Sequence, residues 1–413
     1  MVNKGTLTSQ EGKKMEAYDL LNHRDFVFQT TDARKVRKLL NTPGATVYEG
    51  FDPSADSLHL GHLLSLMAMH HLQKAGHRVI FILGGATGLI GDPTGKKTSR
   101  KLLSAQDIAA NGEKMKKQVE EMGLLRFSGE NAALMIDNSR WMGNFSFLND
   151  FMIKVAKVFS VNEMVKMRTF ADRLKDEGSL TLMEFCYPVL QAWDFLELFE
   201  QFGCRLQIGG QDQWANILQG ASLIKKIHGA EVHALTFPLL TTASGEKMGK
   251  TEKGPIWLDP KKTSPFDFYQ YLIQTPDQLV PQMLRMFTFL PLEEIEKAIL
   301  NPREAQRLLA FETTKVVHGE EEAVKARRDT EKLFGKSEGG TEAVPTFKMS
   351  AAEMPLDEIL VQAKSLPSKS EVKRRCQGGA VQIDGQAVTD SRQTVNKGCV
   401  IRFGKGSFLK VET

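Results

Sequence analysis

"RVIFILGG", Arg78 to Gly85, is an apolar run closed by two glycines. Because its apolar residues fall on both parities, a strand built from it must be buried on both faces. That is the condition of an interior strand in a parallel sheet covered by helices. Outward from this run, the first 260 residues alternate strand-like apolar segments with amphipathic helical ones, which predicts an α/β domain with a parallel sheet. From Lys262 to about Lys332 the segments "DFYQYLIQ", "LEEIEKAIL" and "REAQRLLAFETTKVV" keep helical spacing with no strand candidate between them. Leu333 to Ser350 is rich in Gly, Ser and Thr and reads as a linker. Residues 351–413 follow as a small α+β module. The expected division is thus 1–261, 262–332, 333–350 and 351–413.

Composition narrows the function classes. A chain of 413 residues with 41% hydrophobic and 25% charged residues buries a sizeable core. The charge-free run from Val79 to Gly91 is too short and too broken by glycine for a membrane span. The start of the sequence lacks an apolar signal core or an Arg-rich transit pattern, so the expectation is a cytoplasmic protein with no membrane partner. Four scattered cysteines without CxxC spacing argue against a zinc site or a disulfide framework, and no metal site is expected. Residues 351–413 hold ten Lys/Arg against seven Asp/Glu, so most of the net charge of +4 lies in the tail.

Two motifs carry chemistry. In "GFDPSADSLHLGH", Gly50 to His62, Pro53 sets a turn, Ser57 is a candidate N-cap, and "LHLGHLLSLMAMHHL" then has helical spacing. His59 and His62 fall in the first turns on one face, where free amide donors and the helix dipole attract an anion. Two histidines on a helix are commonly surface or satisfied core residues, and a metal pair lacks a third ligand nearby. The second motif, "GEKMGKT" from Gly245 to Thr251, follows the apolar run "ALTFPLL" at the end of the alternating half. There a loop could carry Lys247 and Lys250 over a pocket at strand C-termini. "GDPTGKKTSRK", Gly91 to Lys101, adds Lys96 and Arg100 but is no Walker A loop, because Lys97 follows Lys96 and position 90 is Ile.

The paired H-L-G-H and K-M-G-K-T elements resemble the signature of the class I aminoacyl-tRNA synthetases, and the match is closest to their bacterial-type tyrosyl family, over essentially the whole chain. The resemblance implies a Rossmann-like catalytic domain, a helical tRNA-binding domain and an alpha-L RNA-binding module. It implies that tyrosine and ATP, with Mg²⁺ accompanying the nucleotide and no permanently bound cofactor, give tyrosyl-adenylate, and that the tyrosyl group passes to the terminal adenosine of tRNA-Tyr. By the same resemblance Ser54, His59, His62, Lys96, Arg100, Lys247 and Lys250 act on the phosphates in the transition state. That reaction spreads charge over phosphorus and pyrophosphate, so it needs positioned donors and cations more than an acid or base. Gly50, Asp52, Gly61, Gly210 and Asp212 match ATP contacts, the last two at the ribose. Tyr48 and Asp194 match positions that bond the phenol hydroxyl. Asp92, Tyr187 and Gln191 match those that hold the ammonium, and Gln207 and Gln213 line the amino-acid side. The spacing supports part of this: Tyr187 and Gln191 lie at i and i+4, with Asp194 at i+7, and a carboxylate on a Leu-, Phe- and Trp-rich helix is costly unless it binds something.

Three positions depart from the family. Ser54 replaces the usual Thr and keeps the hydroxyl. Gly249 replaces the Ser of the commoner motif. Glu49 stands where many members have Cys, and an acid there has to point away from ATP phosphates. In the tail, "SKSEVKRRCQGGAVQIDGQ" reads as a capped helix bearing Lys369, Lys373, Arg374 and Arg375, then a tight hairpin, and resembles the alpha-L module. The family is homodimeric, and "FSFLNDFMIKVAKVFSV", Phe145 to Val161, is apolar enough around its helix to be the dimer face or a buried core helix. A tryptophan-specific relative, a nucleotidylyltransferase of the same superfamily and a non-catalytic RNA-binding protein on this scaffold are the rival readings.

Overall fold

A computed structural model describes residues 15–94, 103–175, 179–241, 248–251, 254–334, 345–349, 351, 353–404 and 407–412. The chain divides into two compact units, Met1–Asp259 with Gln282–Ile295, and Pro260–Pro281 with Glu296–Thr413.

In the first unit the described residues form a six-stranded sheet: β1 (Gln29–Thr30), β2 (Thr46–Phe51), β3 (Arg78–Leu83), β4 (Leu134–Asp137), β5 (Leu206–Gly210) and β6 (His233–Phe237), in the order β1-β6-β5-β2-β3-β4. The run Val79–Leu83 is buried throughout and β3 pairs in parallel with both β2 and β4. β2, β5 and β6 are likewise parallel neighbours. Only the short edge strand β1 runs antiparallel, to β6, a departure from the all-parallel expectation that is common in doubly wound sheets. The chain builds β2, β3 and β4 in one direction and then returns to lay β5 and β6 on the other side of β2. The reversal falls between β2 and β5, and the helices that follow these two strands leave a crevice at their C-terminal ends.

A buried arginine holds the returning segment in this unit. Arg24 caps the C-terminus of the Ala17–His23 helix and is fully buried. Its guanidinium donates to the main-chain oxygens of Arg285 and Thr288, both at 2.9 Å, and of Leu290 at 2.6 Å. These are carbonyls at the end of the Val280–Phe287 helix, which has no internal donors for them. Burial brings the Arg24 pKa down to about 10, still charged at neutral pH.

The "FSFLNDFMIKVAKVFSV" segment forms a π-helix at Phe147–Val155 and a 3₁₀ turn at Ala156–Val158. Phe151 and Val155 are buried, whereas Phe147, Leu148 and Ile153 are more than half exposed. It is therefore one-sided rather than a core helix.

In the second unit the helices Pro265–Ile273, Pro302–His318 and Glu320–Phe334 pack on one another. Further along, the linker expected to reach Ser350 supplies instead a strand, Thr346–Lys348, which pairs in parallel with Phe408–Glu412. Phe347 packs against the core there, which is why the segment orders. The five-stranded sheet also contains Gln382–Ile383 and Gln386–Ala387, joined by Asp384 and Gly385, both at positive φ (48° and 81°). That is the primed turn that an Asp-Gly pair in "VQIDGQAV" favours. Leu356, Ile359, Val372, Cys376 and Val411 meet in its core.

Because Arg24 serves three carbonyls at once, Arg24→Ala should lower unfolding stability by about 3–5 kcal/mol. Urea denaturation checks this, and a loss no larger than that of an exposed Arg→Ala change would contradict it.

Candidate active site

At the β2/β5 reversal the structure has a cavity of about 360 Å³. Its two halves follow from strand alternation. Tyr48 and Glu49 are consecutive on β2 and so point to opposite faces of the sheet.

On one face lies the Leu182–Phe202 helix, started by Thr181 and Glu184, which bond each other's main-chain N–H groups. Its Asp194 is buried and accepts from Trp141 Nε1 at 2.9 Å and Asn138 Nδ2 at 3.1 Å. Burial nevertheless pushes its carboxyl up to about 8, with those two hydrogen bonds opposing the rise. Tyr48 is also buried, its ring 5.1 Å from Phe195 and its hydroxyl without a hydrogen-bond partner. Gln207 sits opposite Tyr48 in the β2/β5 register and its Oε1 is likewise unpartnered. Buried polar atoms without partners are rare, and here they line a cavity.

Nearer the mouth, the polar side chains bind one another. Tyr187 donates to Asp52 Oδ2 at 2.7 Å, and Thr87 donates to Asp52 Oδ1 at 2.7 Å. Gln213 donates to Asp92 Oδ2 at 2.6 Å and accepts from Gln191 at 3.3 Å, while Asn216 donates to Gln191 Oε1 at 3.0 Å. A Cβ at Gly84 would collide with Asp52 and Thr87, so only glycine admits this carboxylate after β3.

The other face carries the Leu60–Lys74 helix. Its N-cap is His59, not the expected Ser57: the backbone stays extended through His59 (φ −126°, ψ 173°), and Ser57 instead donates to the Leu58 carbonyl at 2.8 Å. His59 Nδ1 accepts from the Gly61 N–H at 3.1 Å, and His62 Nδ1 accepts from the His59 N–H at 3.2 Å. The rings stack with centroids 3.8 Å apart. Burial, with His59 alongside, holds His62 well below the ordinary imidazole pKa. With Nδ1 accepting, a neutral ring carries its proton on Nε2, so both imidazoles are hydrogen-bond donors there. The helix start is fastened by strand-like pairing: Leu60 N–H to Ile256 O at 2.9 Å and Leu258 N–H to Leu58 O at 2.9 Å, while Ile256 N–H bonds Gly249 O at 2.8 Å. Gly249 has φ +83°, a conformation that suits glycine better than the Ser it replaces.

Gly50, Ser54, Gly61, Gly210 and Asp212 complete the lining. A Cβ on Gly210 would lie 2.8 Å from Asp212 Oδ1, so the glycine makes room for that carboxylate. Lys96, Arg100 and Lys247 lie outside the described residues, as does the side chain of Lys250, whose backbone forms a short strand with Thr251. In the tail, Ser368 caps the Lys369–Gln377 helix. Lys369 pairs with Glu358 at 2.7 Å, Arg374 with Glu371 at 2.7 Å, and half-buried Arg375 bonds both Glu371 and the Phe403 carbonyl. Arg375 is thus committed inside the module, while Lys373 and Arg374 are exposed.

Sequence reading missed Thr87, Asn138, Trp141, Asn216 and Ser65. The signal present for Asn138 and Trp141 was a polar cluster, "DNSRW", directly after an apolar strand. Which of its members turn inward depends on the helix packed above them.

The family model of class I tRNA synthetases (W and Y) matches residues 40–335, and that of the tyrosine--tRNA ligase SYY-like C-terminal domain matches residues 337–407. With the switch-point crevice and the histidine-capped helix, that match defines the class: the chain belongs to the class I tRNA synthetases, and within them to the bacterial-type tyrosine--tRNA ligase family. It is 43% identical over 409 residues to a tyrosine--tRNA ligase of Caldanaerobacter subterraneus subsp. tengcongensis, covering 96% of this chain and 99% of that one. It is 41% identical over 409 residues to the tyrosine--tRNA ligase of Acetivibrio thermocellus, covering 96% and 98%. Among solved structures, a C-terminally truncated mitochondrial tyrosyl-tRNA synthetase of Aspergillus nidulans superposes with a TM-score of 0.71 at 30% identity, over 79% of this chain and 96% of that one.

The raised Asp194 pKa fixes the sign of a pH effect. An acid that is protonated in the folded state and ionised when unfolded contributes stability that is complete below about 4 and is lost as pH rises through about 8. Between pH 5 and 8 the wild type should therefore lose stability relative to Asp194→Asn, by up to ~1.4 kcal/mol per pH unit. Chemical denaturation across that range checks it, and a pH-independent difference would mean that the carboxyl keeps its ordinary value.

Proposed function

We propose that this cavity activates tyrosine with ATP, giving tyrosyl-adenylate and pyrophosphate, and that the chain then delivers the tyrosyl group to the 3′-terminal adenosine of tRNA-Tyr. The observation that carries the reading is the unpartnered Tyr48 hydroxyl, buried and lining the cavity together with Asp194. A phenol hydroxyl both donates and accepts, and these two groups supply both partners. Tryptophan has only a donor at a different position on its ring, so the tryptophan-specific alternative leaves one of them unpaired.

In this reading Tyr187, Gln191 and Asp92 take the substrate ammonium, with Gln207 and Gln213 along the amino-acid side. Substrate would displace some of the bonds that these groups make to one another. Gly50, Asp52, Gly61, Gly210 and Asp212 form the ATP wall. Carboxylate attack on the α-phosphate builds charge on phosphorus and pyrophosphate. The Nε2–H donors of His59 and His62, with Ser54, Lys96, Arg100, Lys247 and Lys250, are assigned to that charge. Mg²⁺ enters on the ATP phosphates. Among the described residues no group of three His, Cys, Asp or Glu is gathered for a metal.

In this reading the first unit, with Gln282–Ile295, is the catalytic domain, the rest of 262–332 the helical tRNA-binding domain, and the strand at Thr346–Lys348 with 351–413 the RNA-binding module. Lys369, Lys373, Arg374 and Arg375 are its basic helix, with Lys373 and Arg374 the exposed contacts. The half-exposed Phe147, Leu148 and Ile153 support a homodimer face. No described helix is long and apolar enough to cross a membrane, and a cytoplasmic location is proposed.

Pyrophosphate exchange measured with each of the twenty amino acids tests the reading: tyrosine alone should support it strongly. Tyr48→Phe should lower selectivity for tyrosine over phenylalanine by about ten- to a hundredfold, the cost of about 1–3 kcal/mol for a lost buried hydrogen bond. The selectivity of tyrosyl-tRNA synthetase for a hydroxyl is itself a known example of this effect. Unchanged selectivity in Tyr48→Phe would remove Tyr48 from the phenol site. For the tail, Lys373→Ala with Arg374→Ala should weaken tRNA binding and make its log–log salt dependence shallower by about one to two units. A parallel salt slope would mean that those side chains meet no phosphate.

A further inference from the structure

Residues 53–58 join β2 to the His59 cap with no regular secondary structure of their own, yet Ser54 and His59 both line the cavity. The stretch is held by a helix whose residues lie outside the cavity lining, Ala105–Met122. Ser104 and Asp107 start this helix by bonding each other's main-chain N–H groups. Its buried face is Ile108, Gly112, Met115 and Val119, and a Cβ at Gly112 would lie 2.7 Å from Leu83 Cδ2, so the glycine lets the helix close on the end of β3. Asn111, Lys114 and Gln118, at i, i+3 and i+7, share a neighbouring face. Asn111 Nδ2 donates to the Pro53 carbonyl at 3.1 Å, and Lys114 pairs with Asp56 at 3.1 Å. Gln118 Oε1 accepts the Leu58 N–H at 2.8 Å, and its Nε2 donates to Ser57 Oγ at 3.3 Å. One helix face thus grips the stretch at its start, middle and end.

The three grips differ in weight. The Lys114 side chain is 60% exposed, and an ion pair in water contributes little. Leu58 is fully buried, and its carbonyl already accepts from Leu258 N–H and Ser57 Oγ. Its N–H would be a buried donor without an acceptor if Gln118 were removed. The next residue is His59, whose extended backbone makes it the cap, so the Gln118 bond fixes the point at which the helix start leaves the loop. We propose that Gln118, with Asn111, is a positioning residue for adenylate formation, holding residues 53–58 so that Ser54 and His59 meet the transferring phosphate. The proposal rests on the tyrosine-activation reading and deepens it at the phosphate. Neither side chain lines the cavity, so both act through Ser54 and His59. Misplacing reacting partners by about 1 Å costs on the order of a hundredfold in rate. Tyr48 and Asp194 are held by β2 and the Leu182–Phe202 helix, so tyrosine binding should not respond to Gln118.

The test is tyrosine-dependent pyrophosphate exchange, with rates expressed per active site, in wild type, Gln118→Met, Gln118→Glu, Asn111→Ala and Lys114→Ala, and in His59→Ala with and without Gln118→Met. Met fills a similar volume without the amide, and Gln118→Met should lower kcat by about ten- to a hundredfold with the KM for tyrosine unchanged. Gln118→Glu keeps an acceptor for the Leu58 N–H and should stay within about threefold of wild type. Asn111→Ala should lose about threefold or more in kcat, again at constant KM for tyrosine, which preserves the test if Gln118→Met fails to fold. Lys114→Ala should stay within about twofold. In the His59→Ala background the effect of Gln118→Met should shrink by about threefold or more, because one of the groups through which it acts is gone. A kcat unchanged in both Gln118→Met and Asn111→Ala, or a Gln118→Glu as slow as Gln118→Met, would overturn the assignment. So would a KM for tyrosine that rises as far as kcat falls, or an undiminished Gln118→Met effect in His59→Ala; Gln118 would then be a structural group only. Absence of any exchange with tyrosine in wild type would defeat the tyrosine-activation reading itself, an outcome distinct from all of these.

Discussion

The parallel pairing of β2 with β5 is the constraint on which the first unit depends. Only two register pairs join them, Val47 to Leu206 and Tyr48 to Gln207. They set where the sheet reverses its order of construction and therefore where helices cannot close over strand ends. A shift of one residue on β2 would exchange Tyr48 with Glu49 across the sheet. The hydroxyl that now shares a face with Asp194 would then face Ser65, and a second acid would join Asp194. The chemistry of the two halves is inherited from the side-chain period of one strand.

Given that register, polar groups that would be liabilities in a core line a cavity instead, which is why they are proposed as recognition elements. The cavity holds unpartnered atoms of Tyr48, Gln207 and Glu49, while Asp52, Asp92, Gln191 and Gln213 are tied to neighbours. The first set has buried polar atoms with no partner within the protein. The second is held by bonds that a ligand can replace at little net cost. Glycines at 84 and 210 make this possible, because a methyl group at either position would occupy the place of a carboxylate oxygen. The half proposed for the nucleotide is organised differently. The two histidines cap a helix terminus there with their own Nδ1 atoms, which puts the proton of each neutral ring on Nε2.

Much of this was legible in the sequence because it is local. The apolar run at Val79–Leu83 has no solvent-tolerant parity and had to be an interior strand. The Asp-Gly pair at 384–385 specifies a primed turn through its positive φ values, and the spacing of Tyr187, Gln191 and Asp194 follows from the helical period alone. His59 and His62 were placed on one face for the same reason, and the H-L-G-H and K-M-G-K-T elements pointed to their family before any coordinates.

Other features had no local signature, and tertiary structure alone decided them. Ser57 is as good an N-cap as any by residue type, but strand-like pairing of Leu58 and Leu60 with Ile256–Leu258 keeps the chain extended two residues further and gives the cap to His59. The return of Gln282–Ile295 to the first unit depends on carbonyls reached by Arg24, some 260 residues away in sequence. Thr346–Lys348 has linker composition, and it is a strand because Phe408–Glu412 offers it an edge. Glu49 looked like an unwelcome acid beside phosphates until burial and Ser65 defined its environment. In all but the last case the deciding partner is distant in the chain, and Ser65 reaches Glu49 only because the next helix packs on that face of the sheet. Residue type and spacing fix what a segment can do, but the satisfaction of a buried donor or acceptor depends on which remote group the fold brings to it.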